Sequence, residues 1–397
     1  MSSLAQIIAV TALNLRTLSQ RRGNSLVIVL GIAGVVAVLI SVLSMTTGFR
    51  RTMAAGAQPD RAIVLTRGAE SESASALSRE SVLAIAAAPG ILRNSDGKPL
   101  LSAELLAMAP VTRKADGADA FVTLRGVGPQ AFGVRNELRL VRGRMLRPGV
   151  RELLAGTAAQ MQFAGLDVGD VVRLGDSDWT VVGNFTSGGS SHDSSLLVDA
   201  DTMQSAYRVK VFNSVTVRLA SPDAFSAFKD AITAMPGVIA EARREADYVA
   251  SAALPLNRML NFVAYAIGGI MAIGALFGAL NTMYSAVSTR SVEIATLRAI
   301  GFSGSAVVVS VFVEASLLAL AGAALGVLLV YAGFDGRVVS TVGDTVGNNP
   351  QLVYALSVTP ALMATGVALA CVIGLAGGLF PAVRAARLAV AVALRAR

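Results

Sequence analysis

The chain has little of what soluble enzymes use for chemistry. Among 397 residues there is one cysteine, Cys371, and one histidine, His192. A lone cysteine excludes a disulfide scaffold and a cysteine zinc site, and a lone histidine excludes a multi-histidine metal centre. Only 15% of residues are charged, against about 25% in an ordinary soluble domain. Lysine is scarce, with Lys98, Lys114, Lys210 and Lys229 making up the set. A P-loop needs a lysine between a glycine and a serine or threonine. Only Lys98 follows a glycine, and Pro99 comes next. The expectation is a chain with no catalytic residues, metal or cofactor of its own, so not an enzyme.

What the chain has is apolar length. Hydrophobic residues make up 54% and the mean hydropathy is +0.61. Leu26–Met45 runs twenty residues without a charge, Phe262–Val287 and Ala361–Val383 are further apolar runs, and Ala306–Phe334 is broken only by Glu314. Each is long enough to cross a hydrocarbon core of about 30 Å. The formal charge of +8 follows the spans. Residues 1–25, 288–305 and 384–397 together carry a net +8, while 48–254 hold 23 basic and 22 acidic residues. Short basic segments stay on the cytoplasmic side and long domains cross regardless of charge. Both termini and 288–305 are therefore expected inside, with 48–254 and 335–360 outside. The basicity reports topology, so no nucleic-acid partner is expected.

The predicted fold class is an α-helical membrane protein with four transmembrane helices plus a large α+β periplasmic domain inserted between helices 1 and 2. The expected segments are an amphipathic helix at 1–24, spans at 25–47, 255–287, 306–334 and 361–383, the external domain at 48–254, a short cytoplasmic helix within 288–305, an external loop at 335–360 and a cytoplasmic tail at 384–397. Leu4, Ile7, Ile8, Leu15 and Leu18 give the first segment its apolar stripe. Within 48–254, Ala62–Thr66, Phe121–Leu124, Trp179–Val182 and Ser214–Arg218 read as strands, and Ser78–Ala88 and Ser221–Met235 as helices. Pro-Gly pairs follow both helices, and strand–helix–strand occurs near the start and again near the end. Two related halves with a β-rich insertion at about 135–208 are expected.

Several residues invite function. Gly274 and Gly278, Gly322 and Gly326, and Gly374 and Gly378 have the spacing that lets helices approach closely in lipid; packing within the chain and dimerisation both fit. Glu314, alone among the spans, reads as a structural polar residue rather than a proton relay. His192, in Ser187–Ser195, reads as part of an exposed loop, because adjacent side chains in so flexible a run do not converge as a triad. Arg21, Arg22, Arg384 and Arg387 anchor the cytoplasmic face. Between the second and third spans, Ile294, Leu297, Ala299 and Ile300 give a short helix an apolar surface, with Arg290, Glu293 and Arg298 around it and Gly301 and Phe302 after it. Such a surface suits a protein partner or the bilayer surface.

The run Arg290–Gly301, with the pattern R-x-x-E-I-x-x-L-R-A-I-G, resembles the coupling helix of FtsX-like permeases of MacB-type ABC transporters. Glu314 with the Gly-rich run after it, Gly378 through Arg387, Val392 through Arg395, Asn14 through Arg22, and more weakly Gly143–Met145 and Val171–Gly183 are similar to the same family. The resemblance spans the chain. It implies a permease homodimer, two copies of an ABC ATPase that hold the ATP and magnesium, and an outer domain of porter and sabre subdomains. In an efflux setting it adds a periplasmic adaptor and an outer-membrane channel. It places the chain in the bacterial inner membrane as a stand-alone permease, since no fused ATPase is present. It implies mechanotransmission: the partner's ATP cycle moves the coupling helix, and the external domain exports or extracts an amphipathic substrate. Activation of a periplasmic cell-wall hydrolase and release of lipoproteins are the alternatives. Ser303-Gly304-Ser305 departs from the basic residues many relatives carry there.

Overall fold

A computed structural model describes residues 3–17, 22–341 and 351–387. Arg21 and the run Val392–Arg395 lie outside the described residues. In chain order the helices are α1 (Ser3–Thr17), α2 (Arg22–Ala55), α3 (Arg79–Ala86), α4 (Ala131–Val134), α5 (Thr157–Gln162), α6 (Ala200–Tyr207), α7 (Phe225–Thr233), α8 (Glu245–Thr289), α9 (Ser291–Ala299), α10 (Gly304–Phe334) and α11 (Pro360–Ala386). The strands are β1 (Arg61–Thr66), β2 (Leu101–Thr112), β3 (Asp119–Val127), β4 (Arg139–Gly143), β5 (Glu152–Gly156), β6 (Val171–Leu174), β7 (Ser177–Thr186), β8 (Ser195–Asp199), β9 (Ser214–Arg218), β10 (Ala240–Arg244), β11 (Val338–Ser340) and β12 (Val353–Ala355). Two compact units result: a helical one of residues 1–47, 258–337 and 356–397, and a sheet unit of 48–257 and 338–355.

In the helical unit, among the described residues, α2, α8, α10 and α11 are long and apolar enough to cross a membrane. Glycines set how closely they pack. A Cβ on Gly322 would lie 2.8 Å from the Val29 carbonyl oxygen, and one on Gly326 2.7 Å from that of Ala33, so α10 rests directly on the α2 backbone. On α11, a Cβ on Gly374 would overlap the Ala319 Cβ, and one on Gly378 would fall 2.6 Å from the Ala315 Cβ. Those four glycines serve packing within the chain. A methyl group added at Gly274 or Gly278 on α8 would meet nothing within 4 Å. Local signals start the helices: Ser303 accepts from the Ala306 amide to cap α10, and Thr359 accepts from the Leu362 amide to cap α11 ahead of Pro360.

In the sheet unit, β10-β1-β9-β2 are neighbours in that order and antiparallel throughout. β1-α3-β2 and β9-α7-β10 are thus two interleaved split β-α-β units, which gives physical form to the two related halves expected from the sequence. α3 buries Val82 and Ile85, and α7 buries Phe228 and Ile232, in a core with Val64, Val215 and Val217. Each such side chain contributes about 1.5–3 kcal/mol by leaving water. β2 is shared: Leu101–Glu104 pair with β9 and Leu105–Thr112 with β3. The sheet continues through β8, β5 and β7, around a core containing Trp179, Phe163 and Leu124. The β-rich half therefore begins near Leu105, not at about 135, because one long strand runs through both halves. The segment expected as an external loop forms β11 and β12. It joins the sheet unit, where the Gln351 amide donates to the Phe121 carbonyl at 2.8 Å and the Val353 amide to Ser194 Oγ at 3.0 Å.

Candidate functional site

The short helix α9 sits between α8 and α10 and is held at both ends. Arg290, the single residue between α8 and α9, is buried. Its Nη1 donates to Glu314 Oε2 at 3.2 Å and to Asn14 Oδ1 at 3.1 Å. The Asn14 amide in turn donates to Ser310 Oγ. Ser310 and Glu314 are four residues apart and share a face of α10. Three elements, α1, the α8–α9 junction and α10, thus meet through four polar side chains in an apolar surround that includes Val10, Leu13, Met283 and Val311. At the other end, the Arg298 guanidinium donates to the Ala386 carbonyl at 2.8 Å, which ties α9 to the end of α11. The Phe302 amide reaches the Leu297 carbonyl and the Gly301 amide that of Arg298, both at 3.1 Å. This closing motif needs a left-handed residue at Gly301, whose φ is +98°.

The orientation of α9 corrects the expected apolar face. Ile294 and Ala295 are buried and Leu297 is half-buried, lining the cavity beside Val10 and Leu13. The outward face carries Val292, Glu293, Thr296, Ala299 and Ile300. The reason is tertiary: α1 and α10 offer apolar surface on one side, and the helix turns Ile294, Ala295 and Leu297 there. Arg290, expected beside the apolar surface, is instead inside, paired with Glu314. Phe302 is half-buried. Among the basic anchors, Arg384 lies over the Tyr284 ring at 5.5 Å, Arg387 is exposed and Arg22 opens α2.

A second polar cluster lies in the sheet unit, and nothing in the sequence pattern signals it. Arg61 donates to Glu137 at 2.6 Å and to the Gly56 carbonyl, and forms an ion pair with Glu245 at 2.8 Å. Arg135 pairs with Glu245 and lies 3.6 Å from Glu104. Arg125 pairs with Glu104 and, at 3.0 Å, with Glu72. Burial alone would raise the Glu72 carboxyl; the Arg125 guanidinium, with Ser214 and Arg135, brings it below the usual carboxylate range. The cluster joins Gly56, just past α2, and Glu245, the first residue of α8, to β1, β2 and β3. The Ser187–Ser195 run, expected as an exposed loop, packs beside it: Ser187, Ser190, Asp193 and Ser194 are buried. Asp193 organises the run by accepting from the Ser187 and Gly189 amides. Burial holds the His192 imidazole well below its ordinary range, and Arg135, Arg125 and Arg61 add repulsion. Ser190 Oγ is 3.4 Å from His192 Nδ1, but Asp193 is spent on backbone amides, so no relay through the histidine forms.

The arrangement defines a class: a membrane protein with a sheet unit between its first two long apolar helices and an anchored short helix between the second and third. Residues 25–235 match the MacB-like periplasmic core domain and residues 265–390 the FtsX-like permease C-terminal domain. The chain belongs to this family of MacB-like, FtsX-like ABC-transporter permeases. It is 25% identical over 421 aligned positions to the lipoprotein-releasing system transmembrane protein LolC of Xylella fastidiosa, covering 97% of this chain and 98% of that protein. It is 25% identical over 285 positions to the macrolide export ATP-binding/permease protein MacB of Hahella chejuensis, covering 67% of this chain and 42% of that one. Among solved structures, the periplasmic region of MacB from Actinobacillus actinomycetemcomitans aligns with a TM-score of 0.39 at 14% identity, over 50% of this chain and 94% of that one.

Proposed function

We propose that this chain is the permease subunit of an ABC transporter whose ATPase is a separate subunit, and that it works by mechanotransmission. In this reading the termini and α9 face the cytoplasm and the sheet unit faces the periplasm. ATP and magnesium belong to the partner, present in two copies. Closure of that partner displaces α9, and the long helices carry the displacement to the sheet unit, which moves an amphipathic substrate out of the membrane. A second copy of the permease completes the assembly; the open faces of Gly274 and Gly278, beside exposed Ile270 and Phe277, leave room for it.

The observation that carries the reading is the outward face of α9. Val292 on α9 is 46% exposed and Ile300, which caps its end, is 68% exposed, and this nine-residue helix is fixed at both ends. A small apolar face on a rigid support suits a groove in a soluble subunit. The test is retention of an ABC ATPase through purification of the tagged full chain from native membranes. Wild type should retain ATP hydrolysis, and Ile300→Asp should release it, since seating a carboxylate in an apolar groove costs a few kcal/mol. An ATPase-free wild-type preparation, or full retention by Ile300→Asp, contradicts the reading.

A second reading, lipoprotein release, is favoured by one observation: the match to LolC runs nearly end to end in both chains. Proteoliposomes holding the complex and a triacylated lipoprotein separate the outcomes. ATP-dependent transfer to a soluble acceptor supports release. Efflux of a small amphiphile supports export. ATP-driven movement of the sheet unit with neither supports signalling.

A further inference from the structure

We infer that the Arg290–Glu314 pair, braced by Asn14, is the pin through which α9 drives α10, so that both are positioning residues for coupling; this rests on the reading above. The geometry is specific. Arg290 is the only residue between the second apolar helix and α9, so any rotation of α9 against α8 turns about it. Its backbone carbonyl accepts from the Ile294 amide at 2.9 Å, which makes it part of the first turn of α9. Its side chain points the other way, into a buried contact with Glu314 one third of the way along α10. One residue thus joins the backbone of the short helix to a side chain inside the third long one.

A nine-residue helix packed only by Ile294, Ala295 and Leu297 could roll under load, because apolar contacts are not directional. A charge pair with a second acceptor on α1 resists rolling, because both hydrogen bonds constrain the guanidinium plane. At the far end Arg298 holds the Ala386 carbonyl, so a push on Val292 and Ile300 reaches α10 and α11 together. Buried ion pairs contribute little stability relative to apolar residues of similar size. Stability alone therefore gives no reason to place a carboxylate in an otherwise uncharged apolar helix.

That separation makes the inference testable. Glu314→Gln leaves the Arg290 charge buried without its carboxylate and can disturb folding. The Arg290→Met/Glu314→Leu double variant removes both charges and keeps the volume. The full complex with its ATPase is reconstituted in nanodiscs and followed by hydrogen exchange. Three readouts are taken: protection of residues 291–300 on ATPase binding, the ATP hydrolysis rate, and the ATP-dependent change in exchange across the sheet unit. In wild type all three are present. In the double variant, protection persists and hydrolysis stays within about twofold, a difference of well under 1 kcal/mol in barrier, while the sheet-unit response is lost. Overturning results are a double variant whose sheet unit responds as in wild type, or one that loses folding or ATPase binding, which makes the pair a structural support. A wild-type complex that binds ATPase but shows no sheet-unit response contradicts the proposed function instead, independently of the pin.

Discussion

Glu245→Gln tests whether the buried charge cluster holds the sheet unit together. Glu245 is 4% exposed and receives both Arg61, at 2.8 Å, and Arg135. Neutralising it leaves two buried guanidinium groups short of one counter-charge. Removing one partner of a buried pair costs about 3–5 kcal/mol. Here the lower end applies, because Arg61 keeps Glu137 and the Gly56 carbonyl, and Arg135 keeps Thr216 at 3.3 Å and Glu104. For a unit of roughly 150–250 residues, each 1 kcal/mol moves the midpoint by about 2–4 °C, so about 3 kcal/mol becomes a fall of about 6–12 °C. The assay is built into the chain: its only tryptophan, Trp179, lies fully buried in the sheet-unit core. Its fluorescence on heating the detergent-solubilised protein reports that unit alone. Asp201→Asn is the control, since the Arg79–Asp201 pair is exposed and is worth at most about 1 kcal/mol. A Glu245→Gln midpoint no lower than that of the control refutes the argument that the cluster is a stabilising junction.

The pH dependence of the same transition follows from His192. Its folded-state affinity for protons is depressed, so the unfolded chain binds more protons below the ordinary value of about 6.5 and stability falls as pH drops through it. The Trp179 midpoint should decline between pH 7.5 and 5, and His192→Gln should flatten that decline; an equal slope in both proteins counts against it. Below about pH 4.3 the depressed Glu72 adds a second loss, because its stabilisation exists only while the carboxylate stays ionised. Gly326→Val should impair folding of the helical unit, since its Cβ would lie 2.7 Å from the Ala33 carbonyl, whereas Gly274→Val should fold normally in size-exclusion profiles and alter only association between copies. Leu297→Asp, placed in the cavity beside Val10 and Leu13, should lower expression and thermal stability, while Ile300→Asp should leave both unchanged. In a Cys371→Ser background, a cysteine at exposed Ala115 should react with an impermeant maleimide in spheroplasts, and one at exposed Ser305 should not.

Periodicity made much of the fold readable. Twenty uncharged residues at Leu26–Met45 need no tertiary information to read as a span. Strand β1 announced itself by Ala62–Thr66, and α3 by Ser78, which caps it by accepting from the Ser81 amide. The boundary between the two halves of the sheet was not readable. β2 alternates strand partners at Glu104 and Leu105 without any change in its own composition, and register between strands distant in sequence is set by pairing, not by local propensity. The Ser187–Ser195 run misled for a related reason. Its glycines and serines are the residues of exposed turns, yet Asp193 and neighbouring hydroxyls satisfy its backbone internally, which allows it to be buried.

The candidate site was legible in its position and not in its orientation. Gly301 ends α9 for a reason visible in the sequence, since only glycine takes a positive φ without cost. Which side of α9 faces inward depends on α1 and α10, which meet it from positions far away in the chain. A nine-residue helix with apolar side chains at 292, 294 and 297 and an apolar cap at 300 has candidates on both sides, and the partner surface, not the hydrophobic pattern, selects among them. One clue was present in the arrangement of charges. Glu314 lies inside an apolar run, and Arg290 lies at the start of the segment just before it. A carboxylate that must leave water needs a cation within reach, and among the residues leading into that run Arg290 and Arg298 were the available choices. Arg298 follows the buried Ile294 by one helical turn and is drawn toward the carbonyls at the end of α11, where the Ala386 carbonyl accepts its hydrogen bond. Arg290, at the junction itself, is left to face α10. The pairing is thus a consequence of where the two arginines fall around one short helix, which only the helix phase could reveal.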